Sequence, residues 1–290
     1  MGWRTVVVSG RAKLDLKMNH LVVRKDSIVK IHIKEIYMLI IESTTVSMTM
    51  ALLSELSREK VKVIFCDEKH NPFGELTSYY NKHNTSLMVK NQIAWKPNFK
   101  VGAWTEIVRN KIENQAMLLE KNGFKESLML RGYLEELKQG DSTNREGHAA
   151  KVYFNALFGM DFSRGMENSV NAALNFGYSV ILSAFNREVC CNGYITQLGI
   201  FHDNQFNQYN LSSDLMEPFR PFVDDKVFEL GPIEFGKEEK LAILELMEEQ
   251  VVVGDRLCSL QNAIEIYSRS IFDAIEEENL SLIKRVCYEL

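Results

Sequence analysis

Short apolar runs of the kind that form β-strands fill the first part of the chain. Each run is four to six residues long and is bounded by turn-like residues; they lie at 4–8, 13–16, 20–24, 28–33, 37–41 and 61–66. One helical pattern interrupts them at residues 47–60, where Met48, Leu52 and Leu56 share a face. Many short strands with one helix predict a small β-sandwich or barrel-like domain over residues 1–90.

The apolar spacing becomes helical from residue 101 nearly to the end of the chain. Trp104, Ile107 and Ile112 fit one helix face, and Asn122-Gly123 is typical of the point where such a helix stops. Further helical patterns cover residues 166–189, 237–253 and 256–278. The pattern therefore predicts an all-α domain over residues 101–290.

Residues 91–100 separate these two regions. They contain Trp95-Lys96-Pro97-Asn98, whose proline and asparagine are typical of a connecting segment. We therefore predict an α+β protein with a linker at 91–100, between the β-rich domain at 1–90 and the larger helical domain at 101–290.

The overall charge narrows the classes of function. The net charge is −5, whereas a general nucleic-acid binder usually carries a basic surface. Contact with DNA would therefore need local basic patches, a metal ion or a partner.

The apolar run at Val6 to Val8 is too short for a signal peptide, and no run reaches the roughly 18 residues of a membrane span. We expect a cytoplasmic protein.

Three segments place polar residues within apolar helical surroundings, at 144–154, 197–207 and 214–221. Their candidate metal ligands are Glu146, His202 and Glu217. Two carboxylates and an imidazole suit a divalent cation such as Mg²⁺ or Mn²⁺. Such an ion polarises a phosphodiester and activates an attacking hydroxyl. Arg220, one helical turn after Glu217, can stabilise charge on the phosphate.

Each of these residues also has an ordinary structural interpretation. Glu146 alone is typical of a solvated helix residue, His202 of a packed and hydrogen-bonded histidine, and Glu217-Pro218 of a helix boundary. His148 is a rival ligand, although two residues after Glu146 it lies on another side of the helix. Spacing alone also leaves open whether the three segments meet.

The three segments resemble the motifs of the CRISPR-associated spacer-acquisition integrase family. The first motif is a glutamate that opens a helix before small residues and a tyrosine, here Glu146, Ala149, Ala150 and Tyr153. The second is a Gly-x-x-His, here Gly199 and His202. The third is an acidic residue shortly before Arg-Pro, here Glu217, Arg220 and Pro221. The segments 2–8, 142–148 and 204–208 are most similar to members from type II systems. Ser169 departs from the family, which often has proline there, at the start of a helix.

The resemblance implies an N-terminal β-sandwich that dimerises and a C-terminal helical catalytic domain. It also implies a complex in which two such dimers flank a dimer of the second CRISPR-associated adaptation protein. This complex inserts a prespacer duplex into the CRISPR repeat by attack of DNA 3′-hydroxyls, and other type II CRISPR proteins are possible partners. The metal, Mg²⁺ or Mn²⁺, is implied to lie on Glu146, His202 and Glu217.

Further residues are candidates for contact with DNA. Arg220 and Asn207 are implied to contact phosphate, and Lys111 and Gln115 face the same way on their helix. Among the basic residues of the helical domain, Arg145 and Arg164 are candidates for a local patch. Two other functions stay open: a metal-dependent nuclease without an integration role, acting on branched or single-stranded DNA, and a DNA-bridging scaffold that is not an enzyme.

Overall fold

The computed structural model describes residues 2–68, 70–78 and 82–288 and divides the chain into two compact units. The first unit covers residues 1–83 and the second residues 84–290. No helix within the described ranges is both long and apolar enough to cross a membrane.

The described residues of the first unit form two four-stranded sheets and one helix. Its elements are β1 (Arg4–Val8), β2 (Lys13–Lys17), β3 (His20–Arg24), β4 (Ile28–His32), β5 (Ile36–Ile41), β6 (Ser47–Met48), α1 (Met50–Arg58), β7 (Lys62–Cys66) and β8 (Pro72–Leu76). One sheet has the strand order β1-β5-β7-β8 and the other β4-β3-β2-β6. Leu14, Leu39 and Leu52, from the two sheets and α1, are fully buried in one apolar cluster. The predicted β-sandwich is therefore confirmed.

The second unit is mainly helical. Its helices are α2 (Thr85–Ile93), α3 (Pro97–Lys121), α4 (Ser127–Glu136), α5 (Arg145–Phe158), α6 (Ser169–Cys191), α7 (Asn210–Met216), α8 (Arg220–Leu230), α9 (Lys237–Glu245) and α10 (Leu260–Glu276). Helix α3 packs against α4, α5, α8 and α10. Its residues Trp104, Ile107 and Ile112 are buried, as their spacing predicted. The helix ends before Asn122, and Gly123 adopts a positive φ of 75°.

The prediction that residues 101–290 are all-helical was wrong near the end of the chain. Strands β9 (Gln250–Val253), β10 (Arg256–Ser259) and β11 (Val286–Tyr288) form a three-stranded antiparallel sheet in the order β10-β9-β11. Consecutive valines at 251–253 favour an extended chain, and Gly254, with a φ of +59°, allows the tight turn to β10. The α+β class is unaffected.

The predicted linker at 91–100 instead lies inside the second unit. Residues up to Ile93 belong to α2, and Pro97 opens α3. Gln92 is buried and its Nε2 donates to the carbonyl oxygens of Ile195 and Leu198, both at 2.9 Å. Trp95 is also buried, and its Nε1 donates to Glu276 Oε1 at 2.9 Å. These side chains fix the segment against the helical unit, so the division falls earlier, after residue 83.

Candidate active site

Glu146 lies in the first turn of α5, where the backbone is held by Asp141. The Asp141 carboxylate accepts from the backbone N–H groups of Arg145 and Glu146, at 2.7 and 3.0 Å. Asn144 occupies the N-cap position, but it adopts a left-handed conformation and its side chain accepts no capping hydrogen bond. Asp141 therefore satisfies the helix start and fixes the direction from which Glu146 projects.

Glu217 reaches the same place from a distant part of the sequence. It follows α7 in a short 3₁₀ turn, Glu217–Phe219, which leads into α8. The Nζ of Lys111, on α3, lies 2.5 Å from Glu146 Oε1 and 2.5 Å from Glu217 Oε2. Arg220 Nε donates to the other oxygen, Glu217 Oε1, at 2.9 Å. Two carboxylates from separate segments therefore converge on one cation.

The protonation of this group follows from its charges. Burial raises the pKa of Glu217, but the cations of Arg220 and Lys111 outweigh burial and bring that pKa down to about 2. Burial lowers the pKa of Lys111, while Glu217 and Glu146 reverse this and raise the pKa above its ordinary value. Lys111 and Glu217 are therefore both charged at neutral pH, and Glu217 keeps a full negative charge in a buried site.

His202 is held by Asp214, which is fully buried in α7. The Asp214 carboxylate accepts from the backbone N–H groups of Ile200, Phe201 and His202, at 2.6, 3.0 and 3.1 Å. It also lies 2.5 Å from His202 Nδ1, and this hydrogen bond raises the pKa of His202. Asp214 thus fixes both the backbone of this turn and the imidazole of His202.

Gly199 explains the spacing of the Gly-x-x-His motif. A Cβ atom at this position would lie 2.3 Å from the carbonyl oxygen of His202 and 2.8 Å from Asp214 Oδ2. Any larger residue would therefore collide with the turn that presents His202. The motif is a steric requirement of the loop around Asp214.

The three predicted ligands are neighbours, but they do not form a closed ligand set. Glu217 and Glu146 contribute to raising the pKa of His202, so the imidazole is within reach of both charges. Over residues 2–68, 70–78 and 82–288, no three histidine, cysteine or acidic side chains lie close enough together to share a metal ion. The Lys111 ammonium lies between the two carboxylates instead.

A cavity of about 200 Å³ adjoins this group. Its walls combine cationic, acidic and aromatic side chains from α3, α5, α6, α8 and the loops: Lys111, Gln115, Phe154, Arg164, Tyr178, Glu217, Arg220 and Asp224. The guanidinium groups of Arg220 and Arg164 lie over the Tyr178 ring, 4.6 and 5.2 Å from its centroid. Two guanidinium groups therefore face a small cavity at the edge of the carboxylates, as a site for a phosphate requires.

Lys111 and Gln115 line this same cavity, as their shared helix face predicted. The Oε1 atom of Gln115 is buried and finds no hydrogen-bond partner in the described part of the chain. Arg164 donates to the side chains of Asn171 and Asn175, which anchor it to α6. These residues are within the cavity, whereas their contact with DNA stays a prediction.

Arg145, Asn207 and His148 are directed elsewhere. Arg145 pairs with Glu136 at 2.7 Å and lies over the ring of Tyr133. The Asn207 side chain accepts from the backbone N–H of Tyr209 at 2.9 Å and donates to Ser213 Oγ at 3.2 Å, so it shapes its own loop. His148 lies next to Arg145 on the exposed side of α5. None of these three side chains lines the cavity.

Asp224 is a buried acidic residue that the sequence did not single out. Tyr153 Oη donates to its Oδ2 at 2.9 Å, and Tyr178 Oη donates to its Oδ1. Burial raises the pKa of Asp224 to about 6, against the effect of the tyrosine hydrogen bonds and of Arg220. The signal in the sequence was weak, because an aspartate in the first half of α8 also fits a solvated helix residue.

Comparison with known proteins identifies relatives. A family model described as CRISPR associated protein Cas1 matches residues 5–232. The CRISPR-associated endonuclease Cas1 of Neisseria meningitidis serogroup C (strain 8013) is 35% identical over 232 residues, covering 79% of this chain and 76% of the relative.

Solved structures share the fold at lower identity. A casposase bound to an integration product superposes with a TM-score of 0.75 at 16% identity, over 95% of this chain and 91% of the casposase. A chain of a Cas6-RT-Cas1--Cas2 complex superposes with a TM-score of 0.73 at 19% identity, over 97% of this chain and 36% of that longer one. At these identities, the likeness establishes the architecture alone.

Proposed function

Because this chain belongs to the Cas1 family of CRISPR associated proteins, we propose that it is a metal-dependent DNA integrase and endonuclease. In this role it inserts short foreign DNA into a CRISPR array. The observation that carries the proposal is the convergence of Glu146 and Glu217 on one cation, beside the oriented imidazole of His202. Two carboxylates held close together, with Glu217 buried and Glu146 partly buried, need a compensating positive charge, which is the property of a metal site.

The donor set fits Mg²⁺ or Mn²⁺. Both ions prefer carboxylate oxygens and accept imidazole nitrogen. Asp214 engages His202 Nδ1, so Nε2 is the nitrogen left for a metal, an arrangement common for metal-binding histidines. The Lys111 ammonium already lies where positive charge is needed, and a divalent ion would compete with it for the two carboxylates.

The protein's own residues have distinct tasks in the proposed reaction. When bound, the metal polarises the phosphodiester and lowers the pKa of the attacking DNA 3′-hydroxyl. Arg220 is fixed by Glu217 and by the Tyr178 ring, so its remaining donors are available to a phosphate in the cavity. Asp214 keeps the imidazole of His202 in one orientation. The attacking 3′-oxygen forms a bond to phosphorus while the bond from phosphorus to the 3′-oxygen of the repeat strand breaks, and the proton lost by the attacking hydroxyl is balanced by one taken up on the released 3′-oxygen.

The named relatives support this choice of activity. One relative is called an endonuclease, and a structural neighbour of the same fold holds an integration product. Another neighbour is part of a complex with Cas2, which makes Cas2 the proposed partner besides DNA. We further propose a homodimer through the β-sandwich unit, with two dimers flanking one Cas2 dimer in the cytoplasm. The similarity to the Neisseria protein supports a type II-like member, which other type II proteins would assist.

An integration assay separates the proposal from its nuclease rival. A labelled short duplex is mixed with a supercoiled plasmid carrying a CRISPR repeat, with Mn²⁺ or with a chelator, and with or without Cas2. We expect the label to join the plasmid only with metal, and more efficiently with Cas2. Cleavage of branched DNA without any joined product would favour a nuclease, and loss of both activities in the presence of metal would favour a scaffold.

A further inference from the structure

An aromatic residue stands partly in water beside the candidate metal ligands. Phe201 precedes His202 in the loop between α6 and α7, and 54% of its surface is exposed. Phe206, farther along the same loop, is 87% exposed. Large aromatic side chains left in water next to an active site are typical of ligand contact surfaces.

The Phe201 ring is held flat against a second ring. It stacks on Trp104 of α3 with 4.3 Å between the centroids and an angle of 2° between the planes. Trp104 is itself buried, so it forms a fixed support. The backbone of Phe201 is tied to the Asp214 carboxylate at 3.0 Å, between the similar bonds from Ile200 and His202. Phe201 is therefore preorganised, with one ring face on Trp104 and about half of the residue still exposed.

The stacked pair is continuous with the candidate active site. The His202 ring meets both rings edge-on, with centroids 5.5 Å from Trp104 and 5.7 Å from Phe201. Trp104 also shares helix α3 with Lys111, whose ammonium lies between Glu146 and Glu217. A DNA strand whose phosphate lies at a metal held by these carboxylates would therefore place an adjoining nucleotide near His202 and the Phe201 ring.

We propose that Phe201, supported by Trp104, is a stacking platform for an unpaired nucleobase of the DNA strand that enters the active site. This inference rests on the proposed function. A base inside a duplex has both faces covered by its neighbours, whereas a base in a single-stranded or frayed end offers a free π-face. Stacking of this kind accepts any base, so the platform positions the strand end without reading its sequence.

The test uses the full chain and a single-stranded oligonucleotide that ends in 2-aminopurine, whose fluorescence is quenched by stacking. We expect the wild-type protein with Mn²⁺ to quench the probe. Phe201→Leu, which keeps an apolar side chain but removes the π-face, should abolish the quenching and weaken binding by about 5- to 150-fold, the range for loss of one stacked base. Phe201→Tyr should retain both. Phe206→Leu, on the same loop, is the matched control and should change binding by less than Phe201→Leu.

Several results would overturn the platform. One is wild-type-like quenching by Phe201→Leu. Another is an equal loss in Phe206→Leu. If calorimetry shows that Phe201→Leu also loses Mn²⁺, then its effect acts through His202. If Phe201→Leu binds DNA normally but no longer associates with Cas2, the exposed ring is a protein contact. If the wild-type protein joins DNA to the plasmid but never quenches the probe, the stacking proposal is wrong and the proposed function stands. If the wild-type protein does neither, both proposals are wrong.

Discussion

Glu217 and Asp224 lie on either side of the start of α8, and both are buried, at 5% and 1% exposure. Their pKa values nevertheless move in opposite directions, to about 2 for Glu217 and to about 6 for Asp224. Burial raises the pKa of both carboxyls, so the opposite shifts come from the groups that each carboxyl contacts. Glu217 is bonded to the cations of Lys111 and Arg220, whereas Asp224 is bonded to two tyrosine hydroxyls.

This contrast distinguishes a cation site from a structural hydrogen-bond acceptor. A carboxylate bonded to cations is ionised over the physiological pH range and can exchange those cations for a metal. A carboxyl bonded to hydroxyls is easily protonated and serves to fix its partners, here Tyr153 and Tyr178. Tyr178 in turn supports the guanidinium of Arg220. The two neighbouring carboxyls therefore have separate roles in the proposed reaction: Glu217 would hold the metal, and Asp224 positions the two tyrosines behind it.

The largest expected effect comes from removing the proposed ligands. We expect Glu146→Ala, His202→Ala and Glu217→Ala each to lower the initial rate of strand transfer at least about 100-fold, because each removes a donor to the metal that carries the reaction. The rate is measured as joined product with Mn²⁺ and Cas2. Asp224→Asn is the buried control and should retain most of the activity. Near-wild-type strand transfer by any of the three alanine variants would contradict the assignment.

The next largest effect is expected from removing the guanidinium of Arg220. Arg220→Ala should lower strand transfer by roughly 100- to 1,000-fold, the range for loss of one hydrogen-bond donor to charge that develops at a reacting centre. Lys151→Ala is the matched cationic control, since Lys151 is exposed on α5 and should leave the rate unchanged. Equal losses in the two variants would remove Arg220 from the site.

The sequence singled out the candidate site because its residues occur in short local segments. Asp141, five residues before Glu146, fixes the start of the helix. Asp214, twelve residues after His202, fixes the turn at Gly199. Both segments match family motifs and lie within a short stretch of sequence. The strands of the first unit followed from alternation and β-branched residues. These features need only local information, and the model that matches residues 5–232 confirms the family resemblance.

What the sequence could not supply depends on contacts between distant segments. Lys111 reaches Glu146 and Glu217 only because α3 packs against α5 and the turn before α8. The predicted linker was wrong because Gln92 and Trp95 bury themselves against residues about 100 or more positions later. The environment of Asp224 was likewise invisible, because its tyrosine partners come from two other helices.

A smaller effect, on stability, is expected from removing the Lys111 ammonium, which lies between the two proposed metal ligands Glu146 and Glu217. Lys111→Met leaves Glu146 and Glu217 close together with less compensating charge, so in a chelator the free energy of unfolding should fall by roughly 3–5 kcal/mol. Added Mn²⁺ should recover most of this loss, since it binds the folded state without displacing an ammonium. Urea unfolding with chelator and with Mn²⁺ measures both values, with Lys151→Met as control. A deficit that Mn²⁺ does not reduce would mean that the carboxylates do not share a metal.

The smallest expected effect is the contribution of Asp224 to the pH dependence of the unfolding free energy. The folded-state pKa of Asp224, about 6, lies above its ordinary value of 3.8. The folded protein therefore favours the protonated form, and this stabilisation is complete below about pH 4 and is lost as the pH rises through about 6. Two units of pKa correspond to about 3 kcal/mol. The unfolding free energy of the wild type should fall by up to that amount, relative to Asp224→Asn, between about pH 4 and pH 7.

The comparison with Asp224→Asn matters because other groups also titrate in this range. The raised pKa of His202 affects both proteins equally, so the difference between their urea-unfolding free energies reports Asp224 alone. An asparagine can still accept from one tyrosine hydroxyl, which keeps Tyr153 or Tyr178 in place. A difference that does not change with pH would show that Asp224 is ionised throughout, as Glu217 is. The two carboxyls would then share one electrostatic environment, and the separation of their tasks would be lost.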